Sequence, residues 1–576
     1  MKNIKFKIDN KEVEGVEGET ILHVARRNNI RIPAACYHSD LEPETSCRLC
    51  LVSIAGRKGL FTSCSVEIEE GMDITTDSPE IKEIRKTNLE LIFSQHIEKC
   101  GTCVRNYHCR LLSLAKECGI KISEFKDRKQ NFPRYQFGPS LIFDSSKCID
   151  CHNCVAMCDK QGVGFLNVEE NGNFWEVVPS KDIKRDCIYC GQCLVHCPSG
   201  AFEEVSAVGD VEKSLDDKKK FVVFQFAPSI RSSLGEEFGL DYGTVVTGKM
   251  IAGIRKLGAD RVFDVSVGAD VTTIEEGGEL IERLTEKKGL PMFTSCCPSW
   301  VKYVEFYYPQ FIKNLTTVRS PQIILGGLTK TYLAEKEKIN PKNIVVVSIM
   351  PCISKKFEAT REELNIDGLK PIDYVLTTRE LACLFKKNNI NLAELKDEES
   401  DTPWDKYTGA GVIYGATGGV TESALRTVYE KVTGKKLKQI EFKELRGMEG
   451  CREAVVKIGD ILVKIAIING LGNAKCLLEK LKENPSLYDY VEVMACSGGC
   501  IGGGGQPLPT DREIRKKRAM ALYGIDKEWG IRMAHESPVV ELLYKDFFKN
   551  KKIIHEICHT HYSPKEKDKI KIIKEK

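Results

Sequence analysis

Two runs of cysteine share one spacing: Cys148-x2-Cys151-x2-Cys154-x3-Cys158 and Cys187-x2-Cys190-x2-Cys193-x3-Cys197-Pro198. No other motif in the chain constrains its folding as strongly. The spacing suits two 4Fe-4S clusters, the fourth cysteine of each run ligating the other cluster. One cluster then uses Cys148, Cys151, Cys154 and Cys197, and the other Cys187, Cys190, Cys193 and Cys158. Zinc also accepts C-x-x-C, but zinc sites rarely carry C-x-x-C-x-x-C-x-x-x-C.

The 25 cysteines are clustered and odd in number, which reads as metal thiolates in a reducing compartment rather than disulfides. A length of 576 residues gives a prior of roughly four domains of about 150 residues. Lys plus Arg is 85 against 82 Asp plus Glu, and a net charge of +3 leaves no electrostatic footprint for nucleic acid or an anionic membrane. Residues 1–10 contain no apolar signal core, and no apolar stretch is long enough to span a bilayer. A cytoplasmic location is expected.

Residues 2–8 alternate, Asp9-Asn10 turns, and a second strand follows, a hairpin pattern. Thr20 is placed to cap a helix from Ile21 to about Asn29. Cys36-x10-Cys47-x2-Cys50-x13-Cys64 then suits a 2Fe-2S cluster in a small β-grasp-like sheet over residues 1–78. Residues 80–118 read as helical around His96-x3-Cys100-x2-Cys103-x5-Cys109. Taken alone, one His and three Cys serve a Cys3His zinc site equally well. The flanking clusters tip this unit, 79–125, towards 4Fe-4S, where an imidazole ligand raises the potential. Residues 138–208 form the two-cluster unit.

Val211 to Lys220, dense in charge, is expected to be a linker. Beyond it, strands are expected at Phe221–Phe226, Arg261–Val265, Asn343–Ile349, Gly411–Tyr414, Lys464–Ile468 and Tyr490–Val493, and helices between them, for example Pro321–Lys336 and Thr378–Lys387. The whole is therefore multidomain, α+β in its amino-terminal units and α/β beyond. Two strands run into Cys352 and Cys496, and ligands of open α/β sheets sit at the carboxyl ends of strands. With Cys297 and Cys500 these make four thiolates for one cluster, leaving the adjacent Cys296 unligated. Gly498, Gly499 and Gly502 to Gly505 let the backbone wrap closely around a bulky group. No Lys-Ser/Thr follows Gly505, so a phosphate loop is not the reading. Arg512 to Leu522 and Arg532 to Phe548 read as helices with a basic, solvated face, and the tail from Pro564 as frayed. Cys118, Cys383, Cys451, Cys476 and Cys558 are expected to be buried small hydrophobes.

Three segments, Thr294-Ser-Cys-Cys-Pro298, Met350-Pro-Cys-Ile-Ser-Lys-Lys-Phe-Glu358 and Met494-Ala-Cys-Ser-Gly-Gly-Cys500, resemble the signatures of iron-only (FeFe) hydrogenases. The resemblance continues through Phe263-Asp264, Gly268-Ala-Asp270, Glu275-Glu276, Tyr414-Gly-Ala-Thr-Gly-Gly419 and His535-Glu-Ser-Pro538, from about residue 2 to 562, and extends to the long, monomeric clostridial type. It implies a catalytic domain over 220–562, small-subunit-like from about 512, followed by a charged tail, 563–576. It also implies an H-cluster: a 4Fe-4S cubane on Cys297, Cys352, Cys496 and Cys500, with Cys500 bridging to a di-iron unit carrying CO, cyanide and azadithiolate. Ala227, Pro228, Ser229, Ser320, Gln322, Met350, Lys355, Tyr414 and Met494 surround that unit by the same analogy, with Lys355 donating to a cyanide. Cys296 faces the azadithiolate amine and relays protons through Glu276, Thr316 and Glu279 to Arg283.

The implied complement is one 2Fe-2S cluster, three accessory 4Fe-4S clusters and the H-cluster. The implied reaction is 2H+ + 2e- ⇌ H2, with ferredoxin or flavodoxin as electron partner and maturation proteins supplying the di-iron unit. The residues agree, since protons and electrons must reach a water-excluding site separately. A thiol with an ordinary pKa of about 8.5 can stay protonated and donate. Glu276 and Glu279, three apart, share a helical face. Two positions depart from the usual pattern. Thr316 replaces a relay Ser and keeps its hydroxyl. Ser497 replaces a His beside the cubane, and unlike His it does not titrate near neutral pH, which bears on the cubane's potential and pH dependence. The alternatives are an electron carrier, because residues 1–210 also resemble the iron-sulfur part of the large complex I subunit, and an assembly or sensory relative without turnover. The first accounts only for the wiring, and Cys296, Glu276, Glu279 and Lys355 argue against the second.

Overall fold

The structure is a computed structural model that describes residues 2–96, 100, 103, 105, 109–122, 126–172 and 174–573. The expected boundary at 125 and the last three residues of the tail lie outside these.

Asn3–Ile8 and Lys11–Val16 pair antiparallel across Asp9 and Asn10, both at positive φ (49° and 64°), the geometry of a two-residue hairpin turn. Thr20 caps the helix Ile21–Arg27 through the amide of His23. The strands belong to a mixed five-stranded sheet, with Asp73–Thr75 parallel to Asn3–Ile8. The helices Pro79–Phe93 and Arg110–Glu117 have no separate core. Leu89, Phe93, Leu111 and Leu114 pack on Cys36 and Cys47 on one side and on Cys151 on the other.

In the two-cluster unit, Arg134–Phe137, Leu141–Asp144 and Phe202–Glu204 form a sheet. Its edge is completed by Ile570–Ile573, antiparallel to Arg134–Phe137. The tail is therefore not frayed over these residues. It alternates Lys with Ile and covers an otherwise open strand edge, and Asp568 reaches the buried Lys302 and Tyr189. The core of this unit runs on into the next, as Phe165 and Tyr189 share a cluster with Trp300, Ile353 and Val493.

The expected linker is mostly the helix Val208–Asp216, because Val211, one turn before Leu215, is buried in the larger core. Beyond it, the strands form two sheets rather than one. Arg261–Asp264, Phe221–Phe226, Ile344–Met350 and Tyr374–Thr377 are all parallel. Ile344–Met350 is buried throughout, as a parallel strand covered on both faces must be. The second sheet orders Met292–Phe293, Tyr490–Met494, Ile461–Asn469 and Cys451–Ile458. The strand expected at Gly411–Tyr414 is instead a short helix, Gly409–Val412, capped by Thr408 and followed by a 3-10 turn. A short apolar run does not distinguish the two by pattern. A Cβ on Gly411 would lie 2.5 Å from the Ser266 carbonyl, so this helix packs directly on the long helix Ser266–Glu286.

The basic helix, Arg512–Glu528, is solvated at Arg512 but not at Arg515 and Arg518. Arg515 forms a bidentate pair with Asp40 at 2.8 Å to each oxygen, and Arg518 is buried on Glu236. Asp40 also meets His196 at 3.3 Å, so it ties the first unit to the two-cluster unit and to the helix Arg512–Glu528. Of the unassigned cysteines, Cys558 is buried and Cys118 half-buried, whereas Cys383, Cys451 and Cys476 are exposed, contrary to expectation, on elements with one solvent face.

Candidate active site and its cluster-binding loops

The ends of three strands, drawn from both large sheets, converge on one cavity. Phe293 leads to Cys296 and Cys297, Met350 to Cys352, and Met494 to Cys496 and Cys500. All five cysteines line that cavity, together with Ala227, Pro228, Ser229, Gln322, Met350, Lys355, Tyr414 and Met494. Ser320 stands behind the lining at the start of the helix Pro321–Leu328, and Ser497 is also outside it. The glycine loop is shaped by neighbouring chain more than by free space. A Cβ on Gly503 would lie 2.1 Å from the Pro351 carbonyl, and one on Gly499 would lie 2.7 Å from the amide of Thr417.

The donor set suits an iron cluster. Burial, and then the neighbouring thiols, push Cys352 up to about 12 and raise Cys496 and Cys500 further. Burial also raises Cys297. Thiolates this close and this dry need a cation between them. Burial would lower Lys355, but the Glu358 carboxylate at 2.9 Å outweighs it and the ammonium is retained. Lys355 Nζ donates also to the Cys296 carbonyl at 3.0 Å, which fixes the cysteine pair to the helix Ser354–Glu358. Glu358 Oε2 accepts from Ser320 and Gln322 as well, at 2.9 and 2.5 Å. The i,i+3 spacing of Lys355 and Glu358 signals a helical pair in the sequence, but no local pattern announces that one carboxylate gathers three donors.

Around the fifth thiol, burial and then Glu276 raise Cys296 well above an ordinary thiol. Burial likewise pushes the Glu276 carboxyl up to about 8. Its Oε1 accepts from Tyr490 at 2.6 Å, and its Oε2 is buried without a hydrogen-bond partner among the described residues. In the sequence Tyr490 is only the start of an apolar strand, with no sign of this contact. Glu279, one turn on, accepts from Thr316 Oγ1 at 2.7 Å and from Arg283 at 2.5 Å. Thr273 Oγ1 lies 2.8 Å from the hydroxyl of Tyr414, holding that ring at the cavity wall.

The other cysteine groups also assemble. Cys36 and Cys47 lie 3.3 Å apart, and the hydrogen bond between them raises the first and lowers the second. A second bond pairs Cys50 with Cys64. In the repeat, Cys197 acts on Cys148, Cys151 and Cys154, and Cys158 acts on Cys187, Cys190 and Cys193. The fourth cysteine of each run thus stands among the first three of the other. The loops repeat as well: Asp150 and Tyr189 occupy the same place at φ 54° and 57°, and their amides donate to Cys148 and Cys187 at 3.4 Å. His96 Nδ1 lies 2.9 Å from the Lys147 carbonyl, the contact by which a ligating histidine is oriented. Cys103 lies beside Cys100, Cys109 and the Ser199 carbonyl. The groups adjoin in series, since Cys47 acts on Cys151, and Cys297 and Cys352 act on Cys190.

Comparisons with known proteins cover the same segments of the chain. The iron only hydrogenase large subunit, C-terminal domain, matches residues 220–504, and the iron hydrogenase small subunit matches 512–565. A 2Fe-2S iron-sulfur cluster binding domain matches 1–79, the NADH-ubiquinone oxidoreductase-G iron-sulfur binding region 85–124, and a 4Fe-4S dicluster domain 147–201. The NADP-reducing hydrogenase subunit HndD of Solidesulfovibrio fructosivorans is 40% identical over 98% of this chain and 99% of its own length. Iron hydrogenase 1 of Clostridium pasteurianum is 39% identical over 95% and 97%. The structure of apo [FeFe]-hydrogenase HydA1 from Chlamydomonas reinhardtii covers 62% of this chain and 99% of its own, at 41% identity and a TM-score of 0.56. With two such relatives matching end to end, this chain belongs to the iron-only hydrogenases, as a long member with 2Fe-2S and 4Fe-4S domains ahead of its catalytic domain.

Proposed function

We propose that the chain interconverts protons and H2, 2H+ + 2e- ⇌ H2, and that Cys297, Cys352, Cys496 and Cys500 would hold a cubane, with Cys500 the residue that would also hold a di-iron unit. The observation that carries this reading is that four ligand thiols and a fifth, Cys296, share one buried cavity with Lys355 and Tyr414. When bound, such a group supplies the metal that forms and cleaves H2.

The chain's own residues do the rest. Lys355 presents a buried ammonium to the cavity while tied to Glu358. Tyr414, Met350, Met494 and Pro228 exclude water. Cys296, kept protonated, has a proton to give where a ligating thiolate has none. Glu276, poised at about 8, can both take and return that proton near neutral pH. Thr316 and Glu279 continue the route.

Residues 1–78, 79–125 and 138–208 are assigned one 2Fe-2S and three 4Fe-4S clusters on the ligand sets given above, with His96 as the one imidazole ligand. Bound there, these clusters would supply the electron path to the catalytic domain, 220–562. Ferredoxin or flavodoxin is the assigned donor, and maturation proteins supply the di-iron unit. No helix among the described residues is long and apolar enough to cross a membrane, and the cytoplasm is the assigned compartment. The likeness to HndD, which is named as a subunit of an NADP-reducing hydrogenase, supports a second reading of the wiring, in which electrons pass to partner subunits rather than through a monomer.

Chain produced together with maturation proteins is expected to evolve H2 from reduced viologen and from reduced ferredoxin. Absence of H2 from viologen, with the iron in place, overturns the reading. Activity with viologen but not ferredoxin favours partner subunits.

A further inference from the structure

We propose that His559 exchanges protons between solvent and Glu279 through the hydroxyl of Thr317. The inference rests on the hydrogenase reading and extends its proton route to the surface.

Glu279 accepts from Thr317 twice, from the amide and from Oγ1, each at 3.0 Å. On its other side Thr317 Oγ1 lies 2.9 Å from Nδ1 of His559. Nε2 of that ring lies 3.1 Å from Oε2 of Glu275. The Glu275 carboxylate only accepts, so Nε2 carries a hydrogen and Nδ1 is the ring atom left to face Thr317. The two residues are also held together by their backbones. Val318 and His559 form a bridge, Thr560 N donates to the Thr317 carbonyl at 2.8 Å, and Arg319 Nε donates to the His559 carbonyl at 2.7 Å. Thr317, His559, Glu279 and Arg283 line one open surface cavity, so this chain of contacts ends at water.

Arg283 cannot serve in that place. A guanidinium is not deprotonated in proteins and has no lone pair to receive a proton. Its N–H groups are committed to the carbonyls of Gly289, Asn314 and Leu315, at 2.8, 3.2 and 2.9 Å, and to Glu279. It positions the carboxylate and the loop. Imidazole, by contrast, is the side chain whose charge ordinarily changes between pH 5 and 8.

The charged groups facing His559 are Glu275 and Tyr544, Glu279 and Arg283, and His555, whose ring stacks on it at 5.8 Å, with Lys551 further along the cavity. Burial would raise Glu275, but hydrogen bonds from His559 and Tyr544 outweigh it and hold the carboxyl below its usual range, with Lys431 adding to the effect. Glu275 therefore stays an acceptor while the ring cycles.

The inward step balances without electrons. The Nδ1–H bond of the doubly protonated ring breaks as a new O–H bond forms on Thr317, and the original Thr317 O–H bond breaks as Glu279 Oε2 takes that hydrogen. The ring is left neutral with Nε2–H on Glu275. Passage of the Glu279 proton inward to Thr316, 2.7 Å away, rotation of the Thr317 hydroxyl and capture of a proton from water at Nδ1 restore the start.

In the matured enzyme, His559→Ala and Thr317→Val are expected to slow viologen-driven H2 evolution roughly 10-fold or more at pH 7 and above, with a changed pH profile. Added imidazole should restore His559→Ala but not Thr317→Val, and Thr317→Ser should behave as the unmodified enzyme. A readout independent of turnover is the 1H-15N spectrum of 15N-histidine-labelled protein lacking the di-iron unit. There the His559 Nδ1 signal should shift in Thr317→Val, but not in Thr317→Ser. Unmodified rates and pH profiles in both variants, or a His559 Nδ1 signal that is unchanged in Thr317→Val, overturn the proposal. An unmodified enzyme that makes no H2 overturns the hydrogenase reading itself.

Discussion

Cys296→Ser is expected to lower H2 turnover by about 10²- to 10⁴-fold, the range for loss of a positioned acid, while the cluster site stays loaded. Two features of the residue separate these effects. Its structural bond is made by its backbone carbonyl, which receives Lys355 Nζ at 3.0 Å and is untouched by the substitution. The thiol itself is raised by burial and by Glu276 but is still the more acidic group, whereas a buried serine hydroxyl does not give up its proton in any accessible pH range. Rates of H2 evolution together with iron content check this. Unaltered turnover in the variant removes Cys296 from the proton route.

Glu358→Ala is expected to be the most destabilising change at the site. One carboxylate oxygen receives Lys355, Ser320 and Gln322, and all four residues are buried. Removing it leaves an ammonium facing the cavity with the Cys296 carbonyl as its remaining hydrogen-bond partner among the described residues, and strands two neutral donors. Breaking a buried pair from one side costs about 3–5 kcal/mol. For the catalytic domain this corresponds to a melting temperature lower by on the order of 10 °C. Glu358→Gln, which keeps the volume and one acceptor, should fall between. Thermal unfolding of protein without the di-iron unit measures the effect free of catalysis. An unchanged melting temperature in Glu358→Ala would show that the three donors do not depend on this oxygen.

The cysteine groups that the structure brings together were legible in the sequence because thiolate chemistry is written in spacing. Cys148 to Cys158 and Cys187 to Cys197 need no tertiary knowledge to be paired. The strands Phe221–Phe226 and Tyr490–Met494 were legible as apolar runs bounded by turns. What was not legible depends on packing. The run at 411–414 is helical because glycine lets it approach the Ser266 carbonyl, a contact with no local signal. Arg515 and Arg518 read as solvated because their partners, Asp40 and Glu236, are hundreds of residues away in sequence. The carboxyl-terminal strand has a strand's alternation, but its lysines masked an edge-covering role. Along the proposed proton route, Glu276 and Glu279 were visible as a helical pair, whereas Tyr490, Thr317 and His559 are brought to it by three separate parts of the chain.

The infrared spectrum of the matured chain tests the central claim most directly. Bands of bound CO and cyanide are expected after maturation, absent beforehand, shifting when H2 is admitted, and retained in Cys296→Ser. A matured protein with its iron-sulfur clusters in place but without those bands would contradict the assignment of Cys297, Cys352, Cys496 and Cys500 to a hydrogen-activating site.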